Sequence, residues 1–323
     1  MSNSSQLLQL ELPIELNKQN INSIRNSSNS NNLKPFIKWV GGKTQLLQNL
    51  KERLPSNFAF TVKSYYEPFI GGGAFLFWLL KHFPHIKKIV INDANNALIN
   101  TYRVIRDSPD KLLDLLSKMQ NKYRSLSSEE ERKSYFYQIR TLFNENATDN
   151  IERAALLIFL NRTCFNGLYR VNSRGHFNVP HGRYKNPQIC DYDTIYADSN
   201  ALNNVEILNV DFETAVQETD EHSFVYFDPP YRPLSITSSF CSYCEGGFDD
   251  SQQKRLADCC RSLHNKGVRW LLSNSDPKSL CPQDTFFDEL YKGFNIQSVQ
   301  ASRMLNCDAD KRGKLSELLI SNY

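Results

Sequence analysis

Residues 64–93 constrain the fold of this chain more than any other stretch. Ser64 to Glu67 reads as a strand, Pro68-Phe69-Ile70-Gly71-Gly72-Gly73 as a turn, and the apolar run through Leu80 as a helix. IKKIVIND, Ile86 to Asp93, then reads as a buried strand ending in an acid. Strand, helix and strand of this length form a βαβ unit. The alternation resumes late in the chain. NVEILNVD is a strand, HSFVYFDPPY a strand and turn, QQKRLADCCRSLHNKG a helix, and VRWLLSNSD and LSELLISNY further strands. Between these halves, about Ala94 to Cys164 reads as helices. Leu98, Tyr102 and Ile105 keep a helical spacing, as do Leu112, Leu115 and Leu116, and Glu152 to Thr163 is an apolar helix. The expectation is an α/β sheet interrupted by a mostly helical insertion. Residues 34–95 and 191–323 form the sheet domain and 96–190 the insertion. Residues 1–33, rich in Asn, Ser and Gln, have little to bury and are expected to be a disordered tail.

The chain has 323 residues, enough for one large domain or two modest ones with a real core. Its net charge is only +3, so any nucleic-acid surface must be a local concentration of charge. No apolar run approaches the ~20 residues of a membrane helix. No basic segment followed by an apolar one opens the chain, so no signal peptide is expected. The expected location is the cytoplasm, at the nucleoid if the partner is DNA, and the eight cysteines are expected as free thiols. Cys241 and Cys244 form a CxxC, with Cys259 and Cys260 following in a helix. Neighbouring cysteines on a helix point about 100° apart, which suits one tetrahedral ion poorly. No metal is expected.

Four constellations carry chemistry. The first is Asp228-Pro229-Pro230-Tyr231, directly after the apolar strand Phe224 to Phe227. Consecutive prolines make a stiff, extended turn without N–H groups, whose carbonyls can accept from a ligand. The aspartate adds an acceptor and the tyrosine a stacking surface. An adenine amine offers two N–H donors and a π face, which this set complements. An ordinary strand-to-loop turn would explain the prolines but not the flanking Asp and Tyr. The second is Glu67-Pro68-Phe69-Ile70-Gly71-Gly72-Gly73. Its glycines allow close approach at a sheet's carboxyl edge, and Asp93 ends the next strand about 20 residues on, where an acid can bind ribose hydroxyls. Leu76 occupies the last position of a GxGxxG pattern, so a dinucleotide pyrophosphate fits poorly. A nucleoside without phosphate, such as S-adenosylmethionine, fits better.

The third is Lys38-Trp39-Val40-Gly41-Gly42-Lys43-Thr44. A phosphate-binding P-loop needs glycine where Ile37 stands. Trp39 and Lys43 instead suit an adenosine and its carboxylate end. The fourth runs from Arg162 to Lys185. It holds Arg162, Arg170, Arg174, Arg183 and Lys185 with His176 and His181, no acid at all, and Phe165, Tyr169, Phe177 and Tyr184 interleaved. A solvated loop usually mixes both signs, so an acid-free basic loop with aromatics suits phosphate and base contacts. A plain basic hairpin is the alternative.

With these motifs in this order, the chain resembles the Dam-type adenine-N6 DNA methyltransferases. KPFIKWVGGKTQLL, YYEPFIGGGAFLFW, VINDANNALINTY, LNRTCFNGLYRVNSRGHFNVPHGRYKNP, VYFDPPYRPLS, LLSNSD and RGKLSELLISNY all look like blocks of that family. The likeness spans about Leu33 to Tyr323. It implies a Rossmann-like methyltransferase sheet domain with an inserted, mostly helical target-recognition domain. It implies transfer of a methyl group from S-adenosylmethionine to adenine N6 in double-stranded DNA, within GATC, with the base flipped into the Asp228–Tyr231 pocket. It assigns Trp39, Lys43, Gly71, Asp93 and Asp228 to the cofactor pocket or its edge, beside Glu67, Pro68 and Phe69 of the glycine turn. Asp211-Phe212 resembles the family's contact to the cofactor adenine. Arg170 and its neighbours Asn166, Leu168, Tyr169, Pro180 and Tyr184 are assigned to the target. A companion restriction endonuclease acting on the same site stays open.

Rival readings are less well supplied. Cytosine-C5 enzymes need a Pro-Cys nucleophile, and the chain has only Cys281-Pro282. Glutamine-modifying and cytosine-N4 relatives carry Asn or Ser where Asp228 stands. A DNA-binding module without catalysis would not require the Asp228–Tyr231 set.

Overall fold

The first two strands are short and buried on both faces. β1 (Ser64–Glu67) and β2 (Lys88–Asn92) pair in parallel, Tyr65 opposite Ile89 and Glu67 opposite Ile91. Such aromatic and β-branched runs suit a strand with neighbours above and below. In this computed structural model, which describes residues 32–39, 46–145, 148–233, 248–302 and 314–323, they belong to a seven-stranded sheet of order β3-β2-β1-β4-β5-β7-β6. The other strands are β3 (Val205–Leu208), β4 (Ser223–Phe227), β5 (Arg269–Ser275), β6 (Asn295–Ser302) and β7 (Lys314–Ser321). β3, β2, β1, β4 and β5 are parallel, and β7 runs antiparallel to both β5 and β6. The expected α/β class is therefore what the chain adopts. Most of the amino-terminal tail, Lys43, Cys241 and Cys244 lie outside the described residues.

The chain divides into two compact units. The sheet unit takes Lys43–Ile70, His82–Ala94 and Asn204–Tyr323, and so holds every strand above. Its short helices are α1 (Leu47–Glu52), α2 (Phe58–Thr61), α9 (Phe212–Ala215) and α11 (Phe286–Leu290), and its long one is α10 (Asp250–Asn265). Asp249 caps α10 by accepting from Ser251 and Gln252 N–H. Leu256, Ala257, Cys260 and Leu263 of α10 pack with Val225, Phe227, Trp270 and Leu272 in one core, so Cys260 is core filling.

The helical unit takes Gly71–Lys81, Asn95–Asn203 and the residues up to Gly42. It contains α3 (Ala74–His82) except its last residue, α4 (Asn96–Asp107), α5 (Pro109–Ser125), α6 (Glu129–Glu145), α7 (Asn150–Thr163) and α8 (Tyr192–Leu202). α7 is apolar nearly all round, and Ala154 to Asn161 are all buried, as a helix surrounded by α4, α5 and α6 must be. Asp149 caps it through Ile151 and Glu152 N–H. Among the described residues no helix is long and apolar enough to cross a membrane.

The sheet departs from the sequence pattern at two strands. β6 escapes a pattern search because it is an edge strand of sequence NIQSVQAS, in which only Val299 is buried among residues 295–300. β3 ends at Leu208, whereas the strand expected from NVEILNVD runs to Asp211. The Asn92 side chain takes over the backbone of Val210, accepting from its N–H (2.8 Å) and donating to its carbonyl (3.1 Å), so the segment leaves the ladder.

Candidate active site

The parallel strands place Glu67, Asn92, Asp211 and Asp228 at or just beyond their carboxyl ends, the edge where open α/β sheets bind ligands. After β4 the turn Asp228 to Arg232 is fixed from behind. The Ser273 hydroxyl of β5 donates to Asp228 Oδ1 at 2.9 Å, and its own lone pairs face the Tyr226 hydroxyl at 3.1 Å. The Pro230 carbonyl accepts from Gln253 Nε2 (3.1 Å), whose Oε1 accepts from Asn274 Nδ2 (3.1 Å). Arg232 N–H donates to Asn274 Oδ1 (3.2 Å), and the Arg232 carbonyl accepts from the Ser275 hydroxyl (2.7 Å). Its guanidinium bridges Asp250 and Asp284, each at 2.8 Å, and stacks 4.2 Å from the Phe286 ring centre. Among the described residues, no hydrogen bond reaches the Pro229 carbonyl. The turn is thus held by its neighbours' polar groups while Pro229 keeps an acceptor in hand.

Tyr231 is anchored through its hydroxyl, which donates to Glu317 Oε2 of β7 at 2.7 Å. Burial first, and then the charge of Asp228, push its phenol well above the usual range, so it stays a neutral donor. Glu67 closes β1, buried, and accepts from the Tyr65 hydroxyl at 2.6 Å. Burial pushes its carboxyl well above the usual range, Tyr65 opposes this, and Asp228 adds to it. A second acid held next to Asp228 in so dry a place favours one negative charge over two.

Buried Asn92 ties three segments together. Its Nδ2 donates to the carbonyls of Pro68 (3.0 Å) and Val210, while its own carbonyl accepts from Ile70 N–H at 2.9 Å. The following Asp93 carbonyl accepts from Asn209 Nδ2 at 2.7 Å. Phe69 meets Phe212 at 5.5 Å and Phe248 at 5.4 Å between ring centres, an aromatic patch on the same edge. Asp211 caps α9 through Glu213 N–H (3.0 Å) and pairs with Arg255, which also reaches Glu213 (2.8 Å) and lies over the Phe212 ring.

The helical unit holds the other expected residues. Gly71 has φ +48°, and a Cβ there would fall 2.9 Å from Trp39 Cδ1, so the close approach the glycine permits is that of an indole. The Gly71 carbonyl accepts from the Tyr102 hydroxyl at 3.0 Å. The loop after α7 carries two isolated bridges, Cys164 to His181 and Val171 to Phe177. Asn144 of α6 brackets Phe177 through both backbone groups, at 2.8 and 3.1 Å. Arg170, Arg174, Pro180, Arg183, Lys185 and Asn166 are exposed, while Leu168, Tyr169 and Tyr184 are half-buried. Asn166 and Arg183 adopt left-handed φ of 56° and 60°. Arg183 pairs with Glu129 at 3.3 Å on the surface, a contact of little energy. Arg162 differs from the others. Its guanidinium donates to the Phe36 carbonyl at 2.6 Å, and burial lowers its pKa, so its charge serves the interior of the unit.

Several of these residues were not singled out from sequence: Ser273, Tyr226, Gln253, Asn274, Glu317 and Asn92. One signal was available. Ser273, Asn274 and Ser275 are a polar run on a strand that is buried throughout those positions, and buried polar groups must find partners.

The sequence profile of the D12 class of N6 adenine-specific DNA methyltransferases matches residues 39–305. The chain belongs to that family. Over 295 residues it is 48% identical to the type II methyltransferase M.MjaIII of Methanocaldococcus jannaschii, covering 90% of this chain and 99% of that one. It is 43% identical over 300 residues to the type II methyltransferase M1.LlaDCHI of Lactococcus lactis, covering 91% and 97%. It is 31% identical over 284 residues to the DNA adenine methylase of Escherichia coli, covering 88% and 93%. The methyltransferase therefore acts on adenine N6 in DNA and requires a methyl donor. Its acceptor is an amine with two N–H groups.

Proposed function

We propose that this methyltransferase takes its methyl group from S-adenosylmethionine and delivers it to a flipped-out adenine within GATC in double-stranded DNA. The observation that carries the reading is the turn after β4. Asp228 presents a carboxylate fixed by Ser273, and next to it stands the Pro229 carbonyl. Together they would accept both N–H groups of the amine. That draws the nitrogen lone pair out of conjugation with the ring and aims it. Tyr231, held by Glu317, would stack on the base. The work is positioning and electrostatics.

S-adenosylmethionine supplies, when bound, a methyl group on a sulfonium sulfur. The sheet edge suits a nucleoside without phosphate. It offers the Phe69–Phe212–Phe248 rings for an adenine face and the acids Glu67, Asp93 and Asp211 for amines and hydroxyls. Trp39, Lys43 and Gly71 are proposed as its further contacts. In a duplex the adenine amine is paired, so the base must leave the stack, at a few kcal/mol. GATC rests on the likeness of the loop Phe165 to Lys185. Within it we propose Arg170 as the reader of a guanine edge, Asn166, Leu168, Tyr169, Pro180 and Tyr184 as its neighbours at the target, and Arg174, Arg183 and Lys185 as phosphate contacts. We propose the sheet unit as the catalytic part and the helical unit as the recognition part. The name type II methyltransferase on the relatives at 48% and 43% identity supports a companion endonuclease with the same site.

Incubating unmethylated DNA with the enzyme and S-adenosylmethionine, then sequencing the N6-methyladenines, tests the reading. Methylation confined to GATC is expected. Methylation at another sequence overturns the site, and none with this donor overturns the donor. A 2-aminopurine at the target position should brighten on binding, and an unchanged signal with both wild type and Tyr231→Ala on bound DNA would speak against flipping.

A further inference from the structure

We propose that Tyr169 is a positioning residue for recognition: its ring, stacked on Trp39, fixes the adjoining Arg170 and thereby sets how sharply the enzyme discriminates its target. The inference rests on Arg170 being the base-reading side chain. The Trp39 and Tyr169 rings stack at 5.1 Å with an interplanar angle of 22°. Trp39 cannot recede from that contact. Beyond the Gly71 approach, a Cβ on Gly72 would lie 3.0 Å from Trp39 Cβ, so the indole is wedged against the backbone of the glycine turn. The residue before it is equally fixed. Lys38 N–H donates to Asn161 Oδ1 (2.9 Å), and Asn161 Nδ2 donates to the Lys38 carbonyl (2.6 Å) and the Gly167 carbonyl (2.9 Å). Gly167, at φ +65°, leaves room for Lys38, whose Cβ would be 2.7 Å from any Cβ added there.

Segments 38–39 and 167–169 are therefore joined twice, by a buried amide clamp and by an aromatic stack. On the loop side Tyr169 meets the Phe177 ring at 5.8 Å. Arg170 is clipped across the loop, its Nε donating to Asn178 Oδ1 at 2.7 Å and its carbonyl accepting from Asn178 N–H at 3.0 Å. Half-buried Tyr169 faces inward while exposed Arg170 faces out. Tyr169 is thus the last fixed point before the side chain that reads. Aromatic pairs of this kind are worth roughly two- to twelve-fold in an equilibrium constant. Removing the ring should let Arg170 sample wrong positions, which costs the cognate site more than a mismatched one.

The test measures the ratio of kcat/KM on a duplex with the cognate site to that on a duplex with one base pair changed, at one cofactor concentration. Cofactor-binding effects then cancel in the ratio. Tyr169→Ala should lower it by roughly two- to twelve-fold, Tyr169→Phe should keep it, and Trp39→Ala/Tyr169→Ala should be no worse than Tyr169→Ala. Circular dichroism establishes that each variant folds, and Arg170→Ala runs in parallel. An unchanged ratio in folded Tyr169→Ala while Arg170→Ala lowers it overturns the positioning role alone. Additive losses from Trp39→Ala and Tyr169→Ala do the same. An unchanged ratio in Arg170→Ala overturns the reading of Arg170 and the inference with it.

Discussion

The turn after β4 and the loop after α7 treat their polar groups in opposite ways. In the first, the Asp228 carboxylate, the Pro230 and Arg232 carbonyls and the Arg232 N–H are all engaged by Ser273, Gln253, Ser275 and Asn274. In the second, the backbone is pinned by Asn144 and Asn161, while Arg174 and Lys185 stand exposed, and the side chain of exposed Arg170 is held, among the described residues, only at its Nε, by Asn178. Chemistry on a small amine needs acceptors held within a fraction of an ångström before the substrate arrives. Reading a long, hydrated polyanion needs reach, and phosphate contacts tolerate adjustment. On the proposed roles of the two regions, the reaction asks for rigidity in one place and for presented charge in the other.

The largest expected effect is on the rigid turn. Asp228→Ala should lower the single-turnover methylation rate on the order of 10²–10³-fold, as loss of a preorganised contact does, with circular dichroism unchanged. A folded variant turning over near the wild-type rate would remove the turn from the chemistry.

Next comes the support behind it. Ser273→Ala deletes a hydrogen bond to a charged group, worth about 1.5–3 kcal/mol. Its cost should fall on kcat with KM little changed, because Ser273 touches Asp228 rather than DNA. A change in KM alone would erase the distinction between the two regions.

For the loop the pattern should invert. Arg170→Ala should cost about 1–3 kcal/mol of discrimination at one base pair, while Lys185→Ala weakens all sequences alike and reduces the salt slope by about one. Sequencing the methylated adenines and titrating salt separate the two. Equal loss of discrimination from both would mean that the loop holds no dedicated reader.

The last concerns stability. Burial holds the folded-state pKa of Glu67 above its unfolded-state value. The folded protein therefore binds that proton more tightly, and ionising Glu67 costs stability. The cost is absent below about pH 4.3, the unfolded carboxylate value, and grows as pH rises toward the folded-state value. Glu67→Gln, which keeps an acceptor for Tyr65, should melt above wild type at pH 8, with the gap closing toward pH 4.5. A gap that is flat or reversed across that range would show that Glu67 ionises freely.

Much of this was legible in the sequence, for definite reasons. Phe224 to Phe227 is buried on both faces, so its apolar run announces a central strand. The prolines of the turn after it are visible in any reading. The acid-free run from Arg162 to Lys185 marks the basic loop, because charge of one sign is a compositional fact. What supports these features was not legible. Glu317 lies far along the chain from Tyr231 and the sheet order brings it close, while Gln253 reaches the Pro230 carbonyl from α10, a helix packing contact that the sequence pattern does not announce. Arg162 shared the composition of the loop but turns inward to Phe36, which charge counting cannot distinguish. The glycines of the turn after β1 were expected to admit a ligand, and the side chain found against Gly71 and Gly72 is Trp39.

The central claim is that the reacting nitrogen is the exocyclic amine of an adenine held at Asp228 and Pro229. A duplex carrying one target adenine, labelled with heavy nitrogen at N6, can be taken through a single turnover and its nucleosides weighed. Within the time of one wild-type turnover, wild-type enzyme should place the methyl group on the labelled nitrogen, and Asp228→Ala, though bound to the same DNA, should leave nearly all of that nucleoside unshifted. A methyl group on any other base, or full conversion by Asp228→Ala, would contradict the account.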